Sequence, residues 1–157
     1  YEILIGLVGS EMCIRDRAQI AANYCQGNIG KAIRFASSSD FIEMKNQVLK
    51  LLKNVDSMNV PSIMDTIKEF ANHKNDINDY LDLMLLWYRD VLMFKVTKDA
   101  NLLLYSDEYS AISEQATKRN YEDIENIIAA IDKAKVRLKA NVNFDVTIEL
   151  MILTMKD

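Results

Sequence analysis

The longest apolar stretch of the sequence, DYLDLMLLWYRDVLMFKV at residues 79–96, restricts the fold more than any other feature. Residues 83–88 and 91–94 are hydrophobic around nearly the whole circumference of a helix, and such a helix must be covered on most sides. The stretch is also too short, and too often interrupted by charged side chains, to span a bilayer. It therefore predicts a central core helix that opens at Asp76 or Asn78.

The rest of the chain predicts more helices around this one. Only four glycines and one proline occur among the 157 residues, which leaves few positions for tight β-turns. One-sided apolar spacing predicts further helices from Asp40 to about 55, from Pro61 to about 71, over about 108–118 and over 121–140. Ser39 or Asp40 is the expected N-cap of the first, and Asn120 of the last. The predicted fold class is all-α, a helical bundle.

The helix predicted over 121–140 has one apolar face and a basic end. The apolar face consists of Tyr121, Ile124, Ile128, Ile131 and Leu138. The basic residues are Lys133, Lys135, Arg137 and Lys139. They suit the C-terminal end of the helix dipole and fan around the helix, so we expect a solvated last turn and not a phosphate site.

The final segment, NFDVTIELMILTMKD at residues 143–157, carries two apolar stripes. The first consists of Phe144, Ile148, Met151 and Met155, and the second of Val146, Leu150 and Leu153. If one stripe faces the core of the chain, the other needs a further surface to cover it, which indicates assembly. The alternative is a terminal helix that is buried on both sides within the bundle.

Few residues of the sequence are suited to chemistry. The single histidine, His73, lies near a helix end and is expected at the surface or in a cap, and Trp87 and Tyr88 are expected in the core. Cys13 and Cys25 make no disulfide framework, which indicates a reducing, cytoplasmic setting. The spacing of the side chains predicts no catalytic residue, no metal site and no cofactor. The net charge of −4 argues against direct binding of nucleic acid.

Three stretches of the sequence resemble a known family. AANYCQGNIGKAIRFA, at residues 21–36, is similar to the end of the lid subdomain of AAA+ clamp-loader proteins. LLWYRDVLMFK and AKVRLKANVNFDVTIELMILTM, at residues 85–95 and 134–155, resemble the C-terminal helical collar of the bacterial DNA polymerase III delta-prime subunits. The resemblance extends over about Ala18–Asp157.

The resemblance implies an assembly role without catalysis. Clamp loaders are rings of five subunits whose collars pack together while their ATPase modules open a sliding clamp and place it on primed DNA. The implied partners are the delta and gamma/tau subunits directly, and the clamp and DNA indirectly; the parent holoenzyme is the DNA-directed DNA polymerase. We expect Arg137, Phe144, Ile148 and Met151 near a subunit contact or in the core that supports it.

The glycine turn in CQGNIGKAI distinguishes a subunit that does not hydrolyse ATP from a related ATPase. Gly27 and Ala32 align with the G-S-x-R-D-A pattern of related ATPase subunits, which puts Gly30 where those subunits carry the sensor-2 arginine. Without a guanidinium there, the resemblance favours a subunit that does not hydrolyse ATP. The alternative is a lid and collar of a gamma/tau subunit or a recombination-factor ATPase that senses nucleotide through Lys31 or Arg34.

The opening of the chain does not resemble the family. Residues 7–17, LVGSEMCIRDR, match the translation of a sequence that resembles a transposase-type sequencing adapter, and the chain begins at Tyr1 instead of Met. We therefore predict that residues 1–17 are an irregular leader fused to a truncated gene, and that Cys13 has no function. The predicted domains are the end of an AAA+ lid subdomain at 18–38 and a helical collar at 39–157.

Overall fold

The computed structural model describes residues 20–22 and 38–156 of the chain. Six long helices follow one another in the second of these segments: α1 Ser39–Asn54, α2 Val60–Ala71, α3 Ile77–Thr97, α4 Tyr109–Lys118, α5 Tyr121–Lys139 and α6 Phe144–Lys156. Short 3₁₀ turns lie between several of them, and no β-strand occurs in the described residues. The predicted all-α helical bundle is confirmed.

Helix α3 is the centre of the bundle, as its apolar circumference predicts. Ten of its side chains are buried, among them Trp87 and Tyr88, which are fully shielded from solvent. Leu85, Leu86 and Leu92 pack partly buried against the same core. Helices α1, α4 and α5 all contact α3, and together these three neighbours cover most of its sides.

Helix α6 packs mainly against α5 and α2, and its buried side chains belong to the same hydrophobic cluster as those of α3. The 3₁₀ turn Val55–Ser57 also lies against α6. The last helix is therefore supported by three elements, of which α2 and the 3₁₀ turn come from a distant part of the chain. This arrangement places one face of α6 inside the bundle and leaves the opposite face for solvent or for a partner.

Polar side chains fix where the helices begin. Asn120 caps α5 as predicted: its side chain accepts from the Asp123 backbone N–H at 2.8 Å, and the Asp123 carboxylate accepts from the Asn120 N–H at 2.9 Å. The predicted cap of α1, Ser39 or Asp40, is wrong by one residue or two. The side chain of Ser38 accepts from the Phe41 N–H at 3.1 Å, so the helix already includes Ser39.

The apolar face predicted for α5 is correct in its centre and wrong at its start. Ile124 and Ile131 are fully buried, whereas 54% of Tyr121 is exposed. Tyr121 is the first residue of the helix, and its ring lies outside the core with the Lys95 ammonium 5.1 Å from the ring centroid. Ile127 and Ala134 take part in the buried face instead.

A buried carboxylate holds the connection between α3 and α4. Asp90 is fully buried, and its Oδ2 accepts a hydrogen bond from the Tyr105 backbone N–H at 2.8 Å, while Oδ1 accepts from Arg89 at 3.0 Å. Burial raises the pKa of Asp90, although the N–H groups of Tyr105 and Leu104 and the Arg89 guanidinium oppose that rise. The carboxylate therefore orders the loop at a cost in desolvation.

We expect the stability of the wild-type chain, relative to an Asp90→Asn variant, to be constant below about pH 4 and to fall as the pH rises above it. The unfolded carboxyl ionises near its ordinary pKa of about 3.9, whereas burial delays ionisation in the folded chain. Above the unfolded pKa the unfolded state therefore loses its proton first, which favours unfolding. Urea unfolding of both proteins at a series of pH values measures the difference, and a difference that rises with pH would contradict the assignment.

The predicted domain boundary between 18–38 and 39–157 stays a prediction. Ile20 and Ala21 are fully buried and belong to the same hydrophobic cluster as the helices that follow. The predicted leader, the glycine turn, Lys31 and Arg34 lie outside the described residues. Within residues 20–22 and 38–156, no helix combines the length and the apolar character that crossing a membrane requires.

Candidate assembly surface

Helix α6 presents two apolar faces, as its two stripes predict. Ile148, Met151 and Met155 are buried in the core, and Phe144 packs partly buried against it. On the opposite face, Val146, Leu150 and Leu153 are 49%, 45% and 42% exposed. The alternative of a terminal helix buried on both sides is therefore wrong. We call these three exposed residues, Val146, Leu150 and Leu153, the α6 stripe.

A groove runs beside the α6 stripe, between α5 and α6. It has a volume of about 420 Å³, and Leu150, Met151 and Thr154 form its α6 wall. The α5 wall consists of Asn126, Ala129, Ala130, Lys133 and Arg137. Because two alanines lie at the middle of this wall, the backbone of α5 is accessible there to the close approach of another helix.

The four residues predicted near a subunit contact lie at different depths. Ile148 and Met151 are buried directly beneath the exposed face of α6, in the supporting core. Arg137 is half-buried and lines the groove next to Met151. Phe144 lies at the start of α6, where the Lys74 ammonium is 5.1 Å from its ring centroid. The structure thus brings Arg137 and Met151 together and places Phe144 at the far end of the helix.

Two cations, Arg119 and the helix's own Lys156, connect the C-terminal end of α6 to distant parts of the chain. Arg119, only 5% exposed, donates from Nη2 to the Met155 carbonyl at 2.6 Å and pairs with the Asp56 carboxylate at 2.7 Å. The Lys156 ammonium donates to the Met58 carbonyl at 2.6 Å. Cations suit this end of a helix because its last carbonyls carry partial negative charge. These bonds hold the α6 stripe on a fixed backbone.

The start of α6 is capped by the residue before it. The Asn143 side chain accepts from the Val146 N–H at 3.0 Å, and the Thr147 hydroxyl donates to the Asn143 carbonyl at 2.7 Å. Val146, the first residue of the α6 stripe, is therefore positioned by the cap itself. With both ends bonded, the exposed face needs little ordering on contact with a partner.

The α5 wall of the groove carries positive charge. Lys133 and Arg137 on α5 make no ion pair within the described residues, whereas Lys135 pairs with Asp82. Asp145 and Glu149, on the exposed side of α6, are not among the described residues that line the groove. A partner that lies along the groove therefore meets positive charge on the α5 wall, which favours a partner surface with negative charge at that place.

His73, the remaining residue with a side chain suited to chemistry, packs against the ring of Tyr80. His73 is half-buried, and its ring centroid lies 5.7 Å from that of Tyr80. Burial, followed by the charges of Glu43, Asp76 and Glu69, raises the pKa of Tyr80 to about 12. In the part of the chain that the structure describes, no group of three or more His, Cys, Asp or Glu side chains is arranged to hold a metal ion.

A comparison with curated proteins bears on the family. Over 143 aligned residues the chain is 28% identical to the DNA polymerase III subunit delta′ of Bacillus subtilis (strain 168). The resemblance to delta-prime is confirmed. The match covers 89% of this chain and 43% of the relative, so the chain spans less than half of the length of that delta-prime protein. No family model and no solved structure matches the chain.

Sequence reasoning missed part of the candidate assembly surface. It identified both stripes of α6, but not the α5 wall formed by Ala129 and Ala130, nor the role of Arg119. The adjacent alanines, in a helix that also contains four isoleucines, are a signal for a place of close approach. Arg119 carries no such signal, because its partners, Asp56 and Met155, lie far away in sequence.

Proposed function

We propose that this chain is a non-catalytic assembly domain of a clamp loader, the role that the resemblance to delta-prime implies. The observation that carries the proposal is the α6 stripe: Val146, Leu150 and Leu153 remain 42–49% exposed on a helix whose opposite face already fills the core. An apolar helix face beside a groove is typical of a protein–protein contact. A catalytic role has no comparable support in the described residues.

The proposed partners are the delta and gamma/tau subunits of the same ring. A helix from a neighbouring collar lies along the α6 stripe and enters the groove at Ala129 and Ala130, where small side chains permit close packing. Arg137 forms the polar rim, while Ile148 and Met151 keep the stripe in place from below. A stable contact of this kind buries roughly 800 Å² on each partner. The sliding clamp and primed DNA are reached through the neighbours.

Leu150→Glu combined with Leu153→Glu is expected to release the chain from the other loader subunits. Both side chains are 42–45% exposed, so the charged residues remain solvated in the free chain but lose their hydration in the contact. We expect the affinity to fall by at least about a hundredfold, since burial of an unpaired charge costs several kcal/mol. Size-exclusion chromatography of the chain with purified delta and gamma/tau measures co-elution.

Val96→Glu is the control, because Val96 is 64% exposed at the end of α3 and belongs neither to the α6 stripe nor to the lining of the groove. It introduces one glutamate at an exposed apolar position, against two in the double variant, and is expected to leave co-elution unchanged. The proposal fails if the wild-type chain elutes alone in the presence of its proposed partners. It also fails if the double variant and the control co-elute equally well.

A further inference from the structure

A second cleft lies where four parts of the bundle meet. The last turn of α5, the connection 140–143, the first residue of α6 and the start of α3 enclose about 900 Å³. None of the three residues of the α6 stripe lines it. The assembly role proposed above leaves this cleft unused, so its occupant must be argued from its own lining.

The cleft concentrates positive charge in a chain that is negative overall. Lys74, Lys135 and Lys139 line it, and none of the described lining residues is acidic, although the net charge of the chain is −4. Lys135 pairs with Asp82 just outside the lining. Lys74 and Lys139 have no carboxylate partner within the described residues, so two ammonium groups are open to an anionic partner.

The same cleft has a large apolar lining. Leu138 and Phe144 are partly buried against the core, and the Lys74 ammonium lies 5.1 Å from the centroid of the Phe144 ring. At the rim, Val136 is 68% exposed and Val142 is 46% exposed. Burial of these exposed valines under apolar side chains of a ligand is favourable, whereas the valines contribute nothing to the binding of a phosphate.

The turn that forms the rim is held in an uncommon backbone conformation. Asn141 has φ +57°, a left-handed conformation that asparagine tolerates better than most residues. The Asn141 N–H donates to the Leu138 carbonyl at 3.1 Å, and the Val142 N–H donates to the Arg137 carbonyl at 3.0 Å. Both bonds end the last turn of α5 and hold Val142 at the rim of the cleft.

We propose that this cleft binds an acidic segment of another protein, one that also carries at least one large apolar side chain. Carboxylates of the segment pair with Lys74 and Lys139, and its apolar side chain covers Val136 and Val142. The same features argue against nucleic acid as the ligand. The chain is negatively charged overall and repels a polyanion. Phe144 is the one aromatic residue in the described lining, and the Lys74 ammonium already lies over the face of its ring, where a base would stack. The proposal does not depend on the role of the α6 stripe.

The test uses selection from a library of random peptides of about twelve residues, displayed on phage, against the full chain and against a Lys74→Glu, Lys139→Glu variant. Peptides that bind the wild type and are lost on the variant are expected to be net acidic and to contain an aromatic or aliphatic residue. Fluorescence anisotropy of the best such peptide is expected to give an affinity at least about tenfold weaker for the variant. Affinity is also expected to fall with added salt.

Lys133→Glu is the matched control, since Lys133 lies on the same helix but lines the groove beside the α6 stripe. It is expected to leave the affinity of the acidic peptide unchanged. The proposal is overturned if no net-acidic peptide is lost on the double variant, or if Lys133→Glu weakens binding equally. Tighter binding of a labelled single-stranded DNA than of every selected peptide, with loss on the double variant, also overturns it. Circular dichroism checks that each variant keeps its helix content.

Discussion

Arg119→Ala is expected to lower the free energy of unfolding by about 3 kcal/mol, although the residue lies at the end of a short helix. The substitution removes the donor that reaches the Met155 carbonyl at 2.6 Å and the cation that pairs with Asp56 at 2.7 Å. It also removes the aliphatic part of the Arg119 side chain, which is buried because only 5% of the residue is exposed. Urea unfolding followed by circular dichroism measures the change.

Lys118→Ala is the matched control for Arg119. Lys118 binds the same carboxylate, with its ammonium 2.9 Å from Asp56, but 58% of its side chain is exposed. A solvent-exposed ion pair contributes about 0–1 kcal/mol, so we expect this variant to be nearly as stable as the wild type. If both variants lose the same stability, the bond to Met155 contributes nothing and the account of how α6 is held is wrong.

The loss of Arg119 has a consequence for assembly. Without the bond to the Met155 carbonyl, the last turn of α6 frays, and Leu153 lies one turn before that end. Hydrogen exchange is therefore expected to accelerate over residues 152–156 more than over 144–148, where the Asn143 cap remains. Binding to the proposed partner subunits is expected to weaken as well, because the α6 stripe must then be ordered during contact.

Much of the fold follows from the sequence because its helices carry strong, local signals. The 79–96 stretch predicts a central helix, and the structure places α3 there, with Leu83, Trp87 and Tyr88 fully buried and Leu85, Leu86 and Leu92 partly buried on its other sides. Asn120 predicts the start of α5 for an equally local reason, since a capping box involves residues three apart. Where the signal was weaker, as among Ser38, Ser39 and Asp40, the start of α1 was misplaced.

The surface could be predicted only in part, because exposure is a property of tertiary packing. The two stripes of α6 are visible in the spacing of residues 144–155, but which one faces the core depends on α5 and α2. Tyr121 illustrates the same limit: its spacing matches the buried face of α5, yet it lies beyond the end of the core. The lysine-lined cleft combines Lys74 and Lys139, which no local pattern connects.

Trp87→Ala is expected to be the most damaging single substitution in the bundle, with a loss of about 3–5 kcal/mol in the free energy of unfolding. Trp87 is fully buried at the centre of α3, and its ring meets that of Tyr105 edge-on at 5.5 Å between centroids. Its Nε1 donates to the Gln115 side chain at 3.1 Å, and Gln115 in turn donates to the Leu52 carbonyl at 2.8 Å. The ring thus connects three helices.

Removal of the indole therefore leaves both a cavity and an unpaired acceptor on Gln115. A Gln115→Leu variant and the double variant complete a thermodynamic cycle, and we expect the double variant to be more stable than the sum of the single losses implies, because neither partner is then left unpaired. Additive losses would contradict the coupling. Tyr88→Phe is the control: its buried hydroxyl has no hydrogen-bond partner among the described residues, so its removal is expected to change stability little or to raise it.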